Sequence, residues 1–489
     1  MWPDNEAIFA AHSLGYRTGM DKSLDPLALT RRQILPAAGL ALTSGLITHL
    51  AQAQTNAPPL RVLEAKKGQL NLTGKAGEDF EIWGFDGQSP GPILRLRKGE
   101  ELRLRVLNSL EQSMAVHWGG VRIKNAMDGV EGLTQKPIMP GQFYDYRFTP
   151  PDAGTFWYHA SSLSNMPEQV GRGLAGLLIV EETNALPVDQ EMIALVQDWQ
   201  VGGDYKLQPC RLADVSALIS INGKLAPDAM ETAPGARIRL RLANLAAQRI
   251  INLTFENLQA SIIAIDGQAC TAFEPVRRTI PLGPGARFDL ILDMPRDAKA
   301  QPRIVMRDPL NSNVNDTQEL INFLLKGEEK SDRGPVEDPA LNPLLPGGIR
   351  LERARRVDFI IDSGGANIID DPQANACSPK SRGLWRVNAK SGAALTDQPL
   401  FRVPWGSAVQ ISFINTSRIA QVMRVHGHVV RQLHNLDDGW EPYWRDSVII
   451  PPGQTVRIAF VADNRGKWRL GSGRFSPDLI GLSSWFEVT

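Results

Sequence analysis

Three stretches of the chain repeat one pattern of apolar and polar positions. They are "GEELRLRVLN" from Gly99 to Asn108, "GARIRLRLAN" from Gly235 to Asn244 and "GSAVQISFIN" from Gly406 to Asn415. Each opens on glycine, alternates apolar with polar residues and closes on asparagine nine positions later. Alternation of period two predicts a strand with one buried face. In the second copy Ile238, Leu240 and Leu242 are expected to point into a core, and Arg237, Arg239 and Arg241 to point away from it.

A second strand follows each copy after a Pro-Gly turn: "PGQFYDYRF" from Pro140, "PGARFDLIL" from Pro284 and "PGQTVRIAF" from Pro452. Asp86-Gly87 and Asn222-Gly223 mark turns ahead of two copies, and Asn388-Ala389 holds the corresponding place in the third. In copies one and three the spacing from Gly141 to Gly154 equals that from Gly453 to Gly466, and both lead into aromatic-rich strands. No long helical period interrupts these strands. The pattern predicts an all-β chain of three consecutive Greek-key β-sandwich domains over 58–183, 184–330 and 345–489. The Pro-rich polar stretch Lys326–Gly348 contains the expected linker, 331–344.

Composition narrows the classes of function. Lys plus Arg number 53, balanced by 53 Asp plus Glu, so no basic field points to nucleic acid. Residues 1–53 read as an export leader with an N-terminal extension. Arg31 and Arg32 precede a weakly apolar run to Leu50, and Ala51-Gln52-Ala53 ends it in small residues. Paired arginines in that position fit a twin-arginine (Tat) signal, with cleavage near Ala53 and a periplasmic mature chain without a transmembrane span. Met20 offers an alternative start. The three cysteines, Cys210, Cys270 and Cys377, form no Cys-x-x-Cys pair, and at most one disulfide is expected.

The motifs "WGFDGQSPGPILRLRKGE" from Trp83, "VHWGG" from Val116, "GTFWYHA" from Gly154, "VQDWQ" from Val196, "RVHGH" from Arg424 and "WRDSVIIPPGQTVRIAF" from Trp444 together resemble the three-domain multicopper oxidases, built from cupredoxin domains. That resemblance implies a blue copper held by two His and a Cys, and three further coppers held by eight His drawn from His-x-His pairs. Alternate residues of a strand face one side, which is why the pairs take that form.

Aligned with those motifs, His117, His159 and His426 stand at residual trinuclear positions. Gly119, Ser161, Arg424, Gly471 and Gly473 stand at the remaining recognisable trinuclear positions. Gln421, Ser472, Pro477 and Leu482 stand at the blue-copper positions. A guanidinium about 4 Å from a divalent ion would cost roughly 8 kcal/mol at an effective dielectric of 20, so Arg424 is expected to disfavour a metal.

On this reading the chain carries no copper cofactor and no catalytic residue. It acts as a non-catalytic binding or scaffold protein of the cell envelope with a protein partner there, similar in kind to a Tat-exported cell-division member of the family. The alternative is a copper-dependent, laccase-like oxidoreductase acting on phenols or metal ions. A single metal held by converging His117, His159 and His426, with His428 beside them, is a further alternative. Otherwise His428 and His434 read as surface or loop residues, and Asp437, Asp438 and Glu441 as a solvated acidic loop. Trp118, Trp157 and Trp468, and with them Met114, Met127, Met139 and Met166, read as core.

Overall fold

A computed structural model describes residues 59–202, 206–207, 216–307, 317–363, 385–391, 395, 397–434, 439–476, 479 and 482–489. Arg31, Arg32, Cys210, Cys377, Asp437, Asp438 and Pro477 lie outside the described residues. Among the described residues no helix is long and apolar enough to cross a membrane.

Among the described residues the strands assemble into six sheets, paired as three sandwiches. The repeated strands are equivalent. Leu102–Asn108, Arg237–Asn244 and Ala408–Asn415 each pair antiparallel with the strand after the Pro-Gly turn. Each also pairs parallel with the first long strand of its domain, Arg61–Asn71, Gln190–Val201 and Arg355–Asp362. The glycines that open the copies have φ of +87° at Gly99, +70° at Gly235 and +80° at Gly406. That left-handed backbone explains why glycine recurs there.

The asparagine that closes each copy is buried and makes the same bonds three times. Asn108, Asn244 and Asn415 accept, through the side-chain oxygen, the N–H of Leu110 (3.1 Å), Ala246 (2.9 Å) and Ser417 (3.1 Å). Their amide nitrogens donate to a carbonyl in the outgoing loop: Gln112 at 2.8 Å, Arg249 at 2.9 Å and Ile419 at 2.8 Å. They donate again to a carbonyl just before the hairpin turn: Ile138 at 2.8 Å, Leu282 at 2.9 Å and Ile450 at 3.2 Å. One amide thus ties strand end, loop and hairpin, satisfying backbone groups that water cannot reach.

Two expectations about side chains change. Arg237, Arg239 and Arg241 do turn away from the core of their own sandwich, but all three are buried, Arg241 completely. Arg237 is covered by the stretch around Gly334, and the other two pack against the first domain. Arg239 and Arg241 bond Glu182 and Asp289, and Arg241 also donates to Thr155 Oγ1 at 2.9 Å. Met114 and Met166 are core, whereas Met139 is 46% exposed. Trp118, Trp157 and Trp468 are fully buried. The stretch 331–344 lies along the second domain: Arg333 bonds Asp189 at 2.6 Å, and Arg237 donates to the carbonyl of Gly334 at 2.6 Å. Asn342 reaches Asp152 at 2.7 Å.

The repeated asparagine yields a direct test. Asn244→Ala should destabilise its domain by about 3 kcal/mol, because it strands an N–H and two carbonyls in a dry corner. Asn244→Asp, which keeps the acceptor and loses both donors, should cost nearly as much. Urea unfolding followed by tryptophan fluorescence measures both, and a cost below about 1 kcal/mol would mean that strand pairing alone holds the corner.

Candidate metal centre

The three histidines come together. Val116–Gly119 pairs antiparallel with Gly154–Ala160, and the register sets His117 directly opposite His159. Tyr146 anchors the first of these strands: its hydroxyl accepts the N–H of Val116 at 2.9 Å and donates to Gln135 at 2.9 Å. His426 arrives from the third domain, at the end of Gln421–Val425, its N–H bonded to the carbonyl of Arg469 at 3.1 Å. The ring of His426 stacks on His117 at 3.8 Å between centroids, and His159 meets His117 edge-on at 5.4 Å. All three are buried.

Asp128 joins them, and it escaped the sequence reading. Its carboxylate is fully buried and accepts from His426 Nδ1 at 3.0 Å. Its other oxygen lies 3.3 Å from His117 Nδ1, but that nitrogen bonds the backbone carbonyl of Asp128 at 2.8 Å instead. A ring nitrogen has a single hydrogen to give, so Asp128 Oδ1 is left without a hydrogen bond. His117, Asp128 and His426 each offer a ligand atom within 4.8 Å of the others. Gly129 makes this possible: at φ +79° it lets the loop press so close that a Cβ there would fall 1.7 Å from the carbonyl of Val116. The Asp128-Gly129 pair in "NAMDGVEG" was the available signal.

The electrostatics follow from burial and these contacts. Burial opposes ionisation of Asp128, but His426 and His117 outweigh it and hold the carboxyl well below the usual range. Burial lowers His426 to about 3, helped by His117 and opposed by Asp128. Burial and the His117 ring push His159 down as well. His159 and His426 are therefore neutral, the state in which imidazole binds metals.

The other motif positions hold different chemistry. Gly119 has no room for a side chain: a Cβ would lie 1.9 Å from Nε1 of Trp157, whose indole packs at a tilt against His159, 4.2 Å between centroids. Ser161 donates its hydroxyl to the carbonyl of Gly129. Gln421 is fully buried with both amide atoms unpartnered. Ser472 donates to the carbonyl of Arg474 at 3.0 Å, and its N–H bonds the carbonyl of buried Leu482 at 2.8 Å. A Cβ on Gly471 would meet Ser483 Oγ at 2.8 Å, and one on Gly473 would meet Arg424 Nε at 3.0 Å.

Arg424 does not face the cluster as an unpaired charge. It donates to Asp446 at 3.0 Å and to the carbonyl of Pro284 at 3.0 Å, with its guanidinium over Trp157. His428, expected at the surface, is buried, and its Nδ1 bonds the carbonyl of His426 at 3.0 Å. Glu441 pairs with Arg445 at 3.0 Å and His434 is exposed.

Imidazole nitrogens beside a carboxylate suit a single copper ion. They do not match the four-copper set, which takes ten histidines and a cysteine. The whole chain has 7 histidines, and Ser472 stands at the cysteine position.

The packing of Trp157 against Gly119 is open to measurement. Gly119→Ala should destabilise the first domain by about 3 kcal/mol through overpacking. In the background of Trp157→Ala the same change should cost far less, a coupling above about 1 kcal/mol in a double-mutant cycle read by denaturant unfolding. Additivity within about 0.5 kcal/mol would show that the indole is not what fills this space.

Three sequence models described as multicopper oxidase match residues 65–185, 198–320 and 370–472. Copper resistance protein A of Pseudomonas syringae pv. tomato is 29% identical over 54% of the chain, a match that spans only 52% of that relative's length. The multicopper oxidase mco of Staphylococcus epidermidis is 29% identical over 88% of this chain and 91% of its own. The crystal structure of a multi-copper oxidase from Pseudomonas thermotolerans superimposes with a TM-score of 0.74, at 26% identity, over 88% of this chain and 99% of that one. These matches overturn the expectation of a cofactor-free, non-catalytic envelope scaffold and favour the copper-dependent oxidoreductase instead. One physical reason for that expectation also falls away, since Asp446 pairs with Arg424 at 3.0 Å. Matched in all three of its sandwiches, the chain belongs to the multicopper oxidase family.

Proposed function

We propose that the protein is a copper-dependent, laccase-like oxidoreductase acting on phenols or metal ions, with copper bound where His117, His159 and His426 meet. The observation that carries this reading is the packing together of three buried imidazoles from the first and third domains beside one buried carboxylate. Copper bound there would supply a one-electron acceptor. The protein's part is to hold the imidazoles and keep bulk water from them, and burial of all three rings supports this.

A cavity of about 330 Å³ between the second and third domains is the proposed place for a phenol. Ile250, Pro281, Ile419 and Pro451 give it apolar walls, and Asp198, Arg249 and Arg474 give it polar ends. Burial raises the pKa of Asp198 despite Arg249 nearby, so this carboxyl is suited to exchange a proton with a phenolic hydroxyl. The residue after Arg474, Phe475, packs against His159 at 4.9 Å, so the cavity and the imidazoles share a wall.

Protein loaded with copper and dialysed should oxidise a phenol or ferrous ion faster than the same amount of free copper. His426→Ala should lower that rate tenfold or more. A rate equal to that of free copper would overturn the assignment.

We also propose that the folded chain is exported through the twin-arginine route, with domains at 58–183, 184–330 and 345–489. Replacing Arg31 and Arg32 by lysine should leave unprocessed protein in the cytoplasm, seen by fractionation and immunoblotting. Unchanged processing of that variant would exclude the route.

A further inference from the structure

We propose that the substrate is a neutral phenol carrying a second aromatic ring, and that a second cavity, built around Phe273 and Tyr443, receives that ring. This deepens the oxidoreductase reading by naming its substrate class, and it rests on that reading.

The second cavity has a volume of about 410 Å³ and also lies between the second and third domains. Pro281, Ile449 and Pro451 line it and line the cavity of about 330 Å³ as well, so one apolar ridge divides two lobes of a single groove. The ridge is fixed in place. Pro281 and Ile449 sit on Thr279–Leu282 and Ser447–Ile450, the outermost strands of their sheets. Beside them the domains touch: a Cβ on Gly283 would lie 3.2 Å from Val422 Cγ2 and 3.5 Å from Ile449 Cγ1.

The chemistry of the second lobe suits a flat, uncharged group. Phe273 of the second domain and Tyr443 of the third stack with their planes 6° apart and their centroids 5.6 Å apart. Both rings are half-buried and line the lobe, and Ile262, Ile265 and Phe288 add buried apolar surface. A further ring placed there gains aromatic contact beyond the burial of its area. The polar groups are spent on one another. Arg445 donates to Glu441 at 3.0 Å and to Gln432 at 3.3 Å. Burial pushes the Tyr443 hydroxyl up to about 12, so it keeps its proton. A cation paired with an anion leaves no net charge to draw in an aromatic acid or amine, and a neutral ring loses nothing there. The first lobe differs, with Asp198, Arg249 and Arg474 at its polar ends, and so takes the hydroxyl that reacts.

The rim supplies an independent observation. Val276 lines the second lobe and is 79% exposed. The next two residues, Arg277 and Arg278, have φ of +53° and +54°. Left-handed backbone at two successive residues other than glycine is costly, and strain of this kind collects where a chain clamps a ligand. Here the strained turn leaves an apolar side chain in water at the mouth of an apolar cavity, where a bound ring would cover it. Each lobe exceeds the roughly 150 Å³ that holds one benzene ring, so the groove takes two rings joined by a short bridge over the ridge.

The test uses the purified full chain without added copper, so that binding is read apart from oxidation. Isothermal titration calorimetry compares bis(hydroxyphenyl)methane, which has two rings, with para-cresol, which has one. The two-ring compound should bind about tenfold more tightly. Val276→Asp should remove most of that difference, at a position too exposed for the fold to depend on its packing. Tyr443→Ala should do the same, whereas Tyr443→Phe, which keeps the ring, should preserve it. Equal affinity for the two compounds, or a difference that survives both Val276→Asp and Tyr443→Ala, would overturn the second lobe. The copper-loaded chain then separates this proposal from the reading beneath it. Oxidation of para-cresol above free copper, with no preference for two rings, would remove the second lobe and leave the oxidoreductase. A two-ring preference with neither compound oxidised above free copper would keep the lobe as a binding site and remove the oxidoreductase.

Discussion

The buried asparagine at the end of Leu102–Asn108, Arg237–Asn244 and Ala408–Asn415 is the constraint on which the rest of the molecule hangs. A sandwich must turn its chain from one sheet to the other, and the turn exposes backbone groups in a dry place. One amide, with an acceptor and two donors, closes that corner in each domain. The strand that leaves the corner is therefore fixed in position and angle. In the first and third domains these strands are Val116–Gly119 and Gln421–Val425, and they present His117 and lead into His426. The equivalent strand of the second domain, Ile251–Glu256, carries no histidine and packs as plain core.

The second domain contributes charge instead. Its Asp266 and Arg287 are buried against Asp446 of the third domain, with Arg287 bonding Asp446 at 2.7 Å and Asp266 accepting the hydroxyl of Ser447 at 2.8 Å. Arg424 completes the group through Asp446. Four buried charges of this kind are tolerable because each has an opposite partner and further hydrogen bonds. Removing one partner would leave an uncompensated charge, so the cluster holds the domains in one relation. Gly120 shows how tight the arrangement is: a Cβ there would meet Arg287 Nη2 at 2.0 Å.

Much of this was legible in the amino-acid order, and the limits have a common cause. Strands and corners are local, so the alternation Ile238, Leu240, Leu242 and the recurring Gly and Asn were enough to place them. The fate of Arg237, Arg239 and Arg241 was not local. The same alternation marks a face turned from the core, but it cannot say whether water or another domain lies beyond. Arg424 misled for a similar reason. Its charge counts against a cation only when unpaired, and Asp446 is 22 residues away, just ahead of the neighbouring strand Ser447–Ile450. Asp128 and His426, 298 residues apart, meet only after three domains have closed on one another. An Asp-Gly pair in a loop reads as a turn, and only the contact of Gly129 with the strand of His117 makes it part of a site.

The shape of the centre also explains why its histidines can be few and still ordered. In a cluster of several metals the ions themselves fix the rings, and each ligand depends on its neighbours. Here the fixing is done by protein acceptors: two carbonyls and one carboxylate hold the Nδ1 atoms of all three rings. Trp157 and Phe475 pack on His159, and His426 lies flat on His117, so ring rotation is blocked by packing as well. Preorganisation of this kind shifts the burden of metal affinity from the number of ligands to the rigidity of those present. It also makes the centre hard to enlarge. A histidine at Gly119 would need the indole of Trp157 to leave, and with it the platform beneath Arg424 and the wall against His159. The packing that orders the three histidines is thus the same packing that fills the space beside Gly119.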